Sequence, residues 1–286
     1  MRQMMLLPLI FSGAWLLSAC GERSDAQVSR AMESVAAVDQ ENMQEIMLSA
    51  ADPAEAVSYF QGAVERNPDS ISAKRGLARS LVRAGGAAES IPVWRQVMEH
   101  PDSTNEDRVF MAEALLRDNK WDEAEAALNA IPPTHETFHR YRLEAMIADN
   151  NKQWDKADHF YETAIGLTTR PAGVYNNWGY SRLSRGQHQQ AERLFAQALR
   201  HDPTLFTAKT NMVLARAAQN QYSLPLIEMS QTERAMLLHT MAIAAIRKGD
   251  VSIGQGLLVE AIDTHPQHFE EAVRALRALE GNVRAG

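Results

Sequence analysis

Residues 172 to 205 read AGVYNNWGYSRLSRGQHQQAERLFAQALRHDPTL. Large and small apolar residues recur at Tyr175, Trp178, Gly179 and Leu183, and again at Ala191, Phe195, Ala198 and Leu199. That three-and-four spacing is the mark of two amphipathic helices, with Gly186 supplying the turn between them and Pro203 closing the second. Gly179, Ala191 and Ala198 are small where paired helices face one another, so the axes can approach. Tyr175, Trp178 and Phe195 fill the gaps that remain. A helix pair of this size cannot bury its apolar stripe alone, so related pairs are expected on either side.

They are present. Thirty-four residues before Ala191 stands Ala157, with Tyr141, Ala145, Trp154, Tyr161, Ala164 and Ile165 in register. A step of 33 reaches Ala124, with Met111, Ala112, Leu115, Trp121 and Leu128; a further 34 reaches Ser90, with Leu77, Ala78, Leu81, Gly85 and Trp94; another 34 reaches Ala56, with Phe60, Ala63 and Pro68. The pattern resembles the tetratricopeptide repeat. That resemblance implies an all-α chain wound as a right-handed superhelix, an α-solenoid of about six to seven helix pairs. The array is expected over 37–205 as five repeats, the first degenerate, with a weak opening helix at Val38–Leu48. Pro92 falls inside the second helix of its repeat and is expected to kink it or delay its start. Beyond Pro203 a further first helix appears at Phe206–Gln219, but Pro225 stands where the packing alanine belongs. A broken repeat with a loop is therefore expected over 206–234. The spacing resumes at Ala235 through Pro266, and a closing amphipathic helix at His268–Leu279 completes a terminal unit over 235–281. Tyr222–Ser230 is either an accommodation of the break or a partner-binding loop.

The N-terminus carries a different signal. Residues 1–19 hold one basic residue, Arg2, and an apolar run from Met4 to Leu17 that is too short to span a bilayer, which reads as a cleaved signal peptide. Its end, Leu17-Ser18-Ala19-Cys20, resembles the bacterial lipobox, in which small residues fit the signal peptidase and the cysteine thiol accepts the lipid. Cys20, the single cysteine, is thereby the expected lipidation site, and 20–36 a polar, lipidated tether. In the lipoproteins it resembles, Asp after the cysteine favours inner-membrane retention. Gly21 stands there instead, which implies the periplasmic face of the outer membrane.

Composition narrows the chemistry. Lys and Arg number 29 against 36 Asp and Glu, a formal charge of -7, so a nucleic-acid partner is not expected. No Gly-rich phosphate loop and no G-x-S-x-G occurs, and neither a cofactor nor a catalytic residue is expected. His135-Glu136-Thr137-Phe138-His139 does match H-E-x-x-H, the zinc-hydrolase pattern in which both histidines share one helix face. It follows Pro132-Pro133-Thr134, however, and so falls on a loop and a first helical turn; no metal site is assigned.

The inner face of the array is expected to carry Arg75, Arg79 and Val82; Val109, Glu113 and Leu116; Arg142, Met146 and Asp149; Asn176, Asn177, Tyr180 and Leu183; and Thr210, Asn211 and Leu214. As a peptide groove this selects Arg75, Arg79, Arg142, Met146, Asn176, Asn177, Tyr180, Asn211 and Leu214. Asn177 and Asn211 stand one repeat apart, and their amides could hold the backbone of a bound segment or bond the neighbouring repeat. Met146, Tyr180, Leu183 and Leu214 suit either an apolar groove floor or packing between repeats. Trp94, Trp121, Trp154 and Trp178 occupy packing positions and are assigned to the core.

Tyr175–Ser181 through Asp202-Pro203, then Leu224-Pro225 and Ala235–Pro266, resemble the TadD family of tight-adherence (Flp) pilus assembly lipoproteins. The resemblance implies a non-enzymatic adaptor that binds proteins, in particular a helper of the outer-membrane secretin or another pilus-assembly component, held to the membrane by its lipid. A general periplasmic scaffold that recruits peptidoglycan hydrolases or barrel-assembly factors is the alternative, and a zinc hydrolase using His135, Glu136 and His139 a third.

Overall fold

The computed structural model describes residues 42–285; the signal peptide, Cys20 and the tether lie outside the described residues. Helices account for the regular structure, and no strand occurs among the described residues. The chain forms two compact units that divide at Ser103/Thr104, inside the span expected as one array.

In the first unit a helix over 42–49 (α1) precedes α2 (Pro53–Arg66), α3 (Ile71–Arg83) and α4 (Ala87–Glu99). Asp52 caps α2 by accepting from the amide of Ala54 at 2.8 Å, with Pro53 at the first helical position, where its missing N–H costs nothing. Phe60 on α2 and Trp94 on α4 are fully buried. The α4 helix starts at Ala87 and runs through Pro92, so its start is not delayed. The proline is on the exposed side of the helix, where water can meet the carbonyl its ring leaves unpaired.

The second unit contains α5 (Asn105–Arg117), α6 (Trp121–Asn129), α7 (Phe138–Asn150), α8 (Trp154–Gly166), α9 (Ala172–Ser184), α10 (His188–His201), α11 (Phe206–Ala218), α12 (Gln231–Lys248), α13 (Val251–Thr264) and α14 (Glu270–Ala285). The pairs α5/α6, α7/α8, α9/α10 and α12/α13 pack antiparallel across short turns, whereas α11 has no partner of its own repeat. One residue adopts left-handed backbone geometry in each of the turns after α3, α5, α7, α9 and α11: Gly85, Asn119, Lys152, Gly186 and Asn220. These follow one another at the repeat length, so the register persists through the turn after α11 and is lost only beyond it. Asn and Gly suit that geometry; Lys152, at φ 55°, does not.

Where the second helix of the broken repeat would lie, 219–230 forms a loop. It is packed in place. Tyr222, Leu224 and Met229 lie against the terminal apolar cluster built on Leu237, Met241 and Leu258, while Ile227 packs on the cluster of Phe195 and Met212. The Tyr222 hydroxyl donates to Asp250, and Arg216 Nε to the carbonyl of Ser223 at 3.0 Å. Pro225 is buried and Leu226 fully exposed. A Ser230–Glu233 capping box then starts α12.

Candidate functional site

The inner helices α7, α9 and α11 frame a cleft of about 470 Å³ in the second unit, with its end wall supplied by the first residues of α6 and α8. On α9, Asn176, Tyr180 and Ser184 recur every four residues and therefore share a face, with Asn177 and Ser181 one step around the helix. Thr207 and Asn211 do the same on α11, and Met146, Asp149 and Asn150 on α7. Five of the expected groove residues meet here: Met146, Asn176, Asn177, Tyr180 and Asn211.

The amides are not equivalent. Asn211 Nδ2 donates to Asn176 Oδ1 at 3.0 Å, binding α11 to α9. The Asn177 amide faces only the Met146 sulfur at 3.7 Å, a weak acceptor. Asn177 therefore keeps hydrogen-bonding capacity for a ligand, whereas Asn211 is occupied by its neighbour. Tyr180 is exposed at the mouth, its ring open to stacking.

The floor is polar and braced. Asp149 accepts from Tyr161 Oη at 2.8 Å and from Ser181 Oγ at 2.6 Å. Burial pushes the Asp149 carboxyl up, against the two hydrogen bonds and the Arg185 charge that pull it down. Burial and the same carboxylate push the Tyr161 phenol well above its usual range, so it remains a donor. Arg185, nearly buried, reaches Asp158 at 2.7 Å and Asp149 at 3.6 Å and lies 5.0 Å from the centre of the Trp154 ring. Asp158 also accepts from Trp178 Nε1 at 2.7 Å. Although burial opposes ionisation, the Arg185 and Trp178 hydrogen bonds hold Asp158 below the usual carboxylate range.

Several expectations need correction. Trp121 and Trp154 line the cleft rather than the core. Each is the first residue of its helix, just past a left-handed turn residue, and is half-buried. Trp94 is buried as expected, and Trp178 is half-buried. Val109 and Leu116 are buried in the core rather than open to a groove. Arg142 is outside the cleft, because Glu113 holds its guanidinium at 3.2 Å. Arg75 and Arg79 belong to the first unit, where Arg75 donates to the carbonyl of Asp102 at 2.8 Å. Leu214 lies one turn beyond the cleft, in a second groove with α12. Tyr161, Ser181, Thr207 and the two tryptophans were not expected in the site; the repeat position of Thr207, four residues before Asn211, was the available signal.

The H-E-x-x-H residues are arranged for ion pairing. Thr137 caps α7, so His135 stands on the loop and His139 on the first turn. His135 Nε2 meets Glu106 at 3.1 Å, His139 Nε2 meets Glu113 at 2.9 Å, and Glu136 is exposed. Glu106 thus lies against both histidines and Glu113 pairs with His139, and no three His, Cys, Asp or Glu side chains converge as a metal site among the described residues.

Residues 48–103 match the family model described as a tetratricopeptide repeat. Among solved structures the chain is similar to the anaphase-promoting-complex hetero-tetramer Cut9–Hcn1, with TM-score 0.59 and 13% identity over 82% of this chain and 48% of that one. It is also similar to a human IFIT1 dimer with PPP-AAAA, with TM-score 0.56 and 16% identity over 79% of this chain and 59% of that one. A third is a tetratricopeptide repeat protein of Parabacteroides merdae, with TM-score 0.54 and 9% identity over 84% and 96%. The chain spans about half the length of the first two. No curated protein matches it in sequence. The fold is that of a tetratricopeptide-repeat solenoid.

Proposed function

We propose that this protein is a non-enzymatic adaptor that holds an extended segment of a protein partner in the cleft between α7, α9 and α11. The observation that carries this reading is the Asn177 amide, left with a weak sulfur acceptor in a cleft walled by Trp121, Trp154 and Tyr180. An extended peptide has backbone donors and acceptors to satisfy and apolar side chains to bury, and this lining offers both. The particular role follows from the TadD resemblance: a lipoprotein anchored through Cys20 at the periplasmic face of the outer membrane, assisting secretin localisation or another step in assembly of a Flp-type pilus. A lipid anchor would raise the local concentration of groove and partner at the membrane.

The test is affinity capture from native envelopes with crosslinking and mass spectrometry, comparing wild type with an Asn177→Ala, Asn211→Ala variant. Recovery of a secretin or pilus component that the variant loses is the expected result. Recovery of peptidoglycan hydrolases or barrel-assembly factors instead would keep the adaptor and discard the pilus role.

A further inference from the structure

Helix α11 carries its inner face past the cleft. Thr207 and Asn211 line the cleft; Leu214 and Ala218, at the next three- and four-residue steps on the same face, line a second groove of about 440 Å³ against α12. From Thr207 to Ala218 is about 16 Å along the axis, the reach of about five extended residues. A segment lying on the Asn pair therefore runs into this second groove without leaving the surface of α11.

The two sections differ in chemistry. The cleft has amides, aromatic rings and the Asp149 carboxylate. The second groove has an aliphatic floor of Leu214, Ile243 and Ala244, and its charged lining residues are Arg247 and Lys248, with no carboxylate. Lys248 is occupied, donating to the carbonyls of Ala218 at 2.8 Å and Ala217 at 3.4 Å, which caps α11. Arg247 is exposed at the rim, and among the described residues no carboxylate pairs with it. His239 also lines the groove, and burial holds it below its usual pKa.

We infer that the second groove is a specificity subsite of the peptide groove, taking an aliphatic side chain on Leu214 and Ile243 and, next to it in the partner sequence, the carboxylate of an Asp or Glu on Arg247. The inference rests on the groove reading above. It adds which sequences the groove selects: the aliphatic floor excludes water from one side chain, and the unpaired guanidinium rewards an adjacent acid. Because Arg247 is exposed, an internal acidic side chain reaches it without the segment having to end there.

The test uses the full chain and a random library of seven-residue peptides, acetylated and amidated, with the bound pool sequenced. Leu or Ile within two positions of Asp or Glu is the expected enrichment. Replacing the acid of the best binder by its amide should weaken wild type about three- to fivefold, as an exposed ion pair implies, and leave Arg247→Ala unchanged. Leu214→Ser should erase the aliphatic preference alone, with circular dichroism confirming that both variants are folded. Binding without acid enrichment overturns this inference and leaves the groove reading intact. Acid selection only in a parallel library with free C-termini overturns the internal-acid assignment. Absence of any binding by wild type, with Asn177→Ala equally inert, overturns the groove reading itself.

Discussion

Asn211 gives its side-chain amide to Asn176 across 3.0 Å, while Asn177, the next residue on α9, faces only the sulfur of Met146. One amide therefore serves the stack and the other is available to a ligand. Asn211→Ala removes a half-buried hydrogen bond between α9 and α11 and should lower stability by about 1 kcal/mol. Asn177→Ala should leave the melting temperature within a degree or two and reduce partner capture. Paired thermal melts and crosslinking yields separate the two effects; equal melts would place both amides in the same role.

Gly179 is where α9 and α10 come closest. A Cβ built on it would lie 2.6 Å from Phe195 Cε1, and Phe195 is fully buried. Gly179→Leu should therefore destabilise the second unit by about 1 to 3 kcal/mol through overpacking. Gly173→Ala, on the same helix with open space around it, should be neutral or slightly stabilising. A denaturant titration in which both variants behave alike would contradict the packing described.

Much of this geometry was readable in the chain. Gly179, Ala191 and Phe195 betray a close helix contact because only small-against-large pairing fills it, and the repeat length follows from their recurrence. Gly186 marks its turn for a different reason, the freedom of glycine to take left-handed backbone angles. The cleft was legible where a repeat places one residue type on one face, as with Asn176, Asn177 and Asn211. It was not legible where a side chain's partner comes from another repeat: Arg142 is taken by Glu113, 29 residues away, and Asn211 by Asn176 rather than a ligand. Trp121 and Trp154 conform to the repeat, but that conformity does not reveal that the first residue of a helix also lines the cleft.

Lys152 adopts the left-handed conformation that glycine fills at the equivalent positions Gly85 and Gly186. A side chain with a Cβ costs about 1 to 2 kcal/mol there. Lys152→Gly should recover part of that, about 0.5 to 1 kcal/mol after the extra freedom of glycine in the unfolded chain is deducted. Equilibrium unfolding in urea checks it; a less stable variant would mean that the exposed lysine contributes more than its backbone costs.

Membrane attachment, as proposed, depends on a single atom, the Cys20 sulfur. Cys20→Ser should move the protein from the membrane fraction to the soluble periplasm and leave its helical circular dichroism unchanged, because Cys20 precedes the repeats and packs in none of them. Retention of the variant with the outer membrane would show that lipid is not what holds it there.

His139 links α7 to α5 through Glu113 at 2.9 Å, with Glu106 at 3.9 Å from its other ring nitrogen, the Phe110 ring beside it, and Arg142 and Arg117 on the far side of Glu113. Burial alone would depress the imidazole, but its interactions with the Glu106 and Glu113 carboxylates outweigh it and raise its pKa above the usual 6.5. Burial would likewise raise Glu113, yet His139, Arg142 and Arg117 together hold it far below the usual carboxylate range. The signs then follow from linkage. The His139 contribution is fully present below the unfolded imidazole pKa and is lost as pH rises through the raised folded value. The Glu113 contribution is present above the unfolded carboxyl pKa and is lost as pH falls toward its depressed one. The contribution of this pair should be largest between about pH 5 and pH 6.5 and decline on either side. His139→Gln should cost about 1 to 3 kcal/mol near pH 6, where a charge-assisted hydrogen bond is removed, and distinctly less at pH 9. Thermal melts of both proteins from pH 5 to pH 9 measure the difference. A gap that stays constant with pH would mean the imidazole is neutral in the folded chain. A gap that closes on chelation of metal, rather than with pH, would return H-E-x-x-H to the role its sequence first suggested.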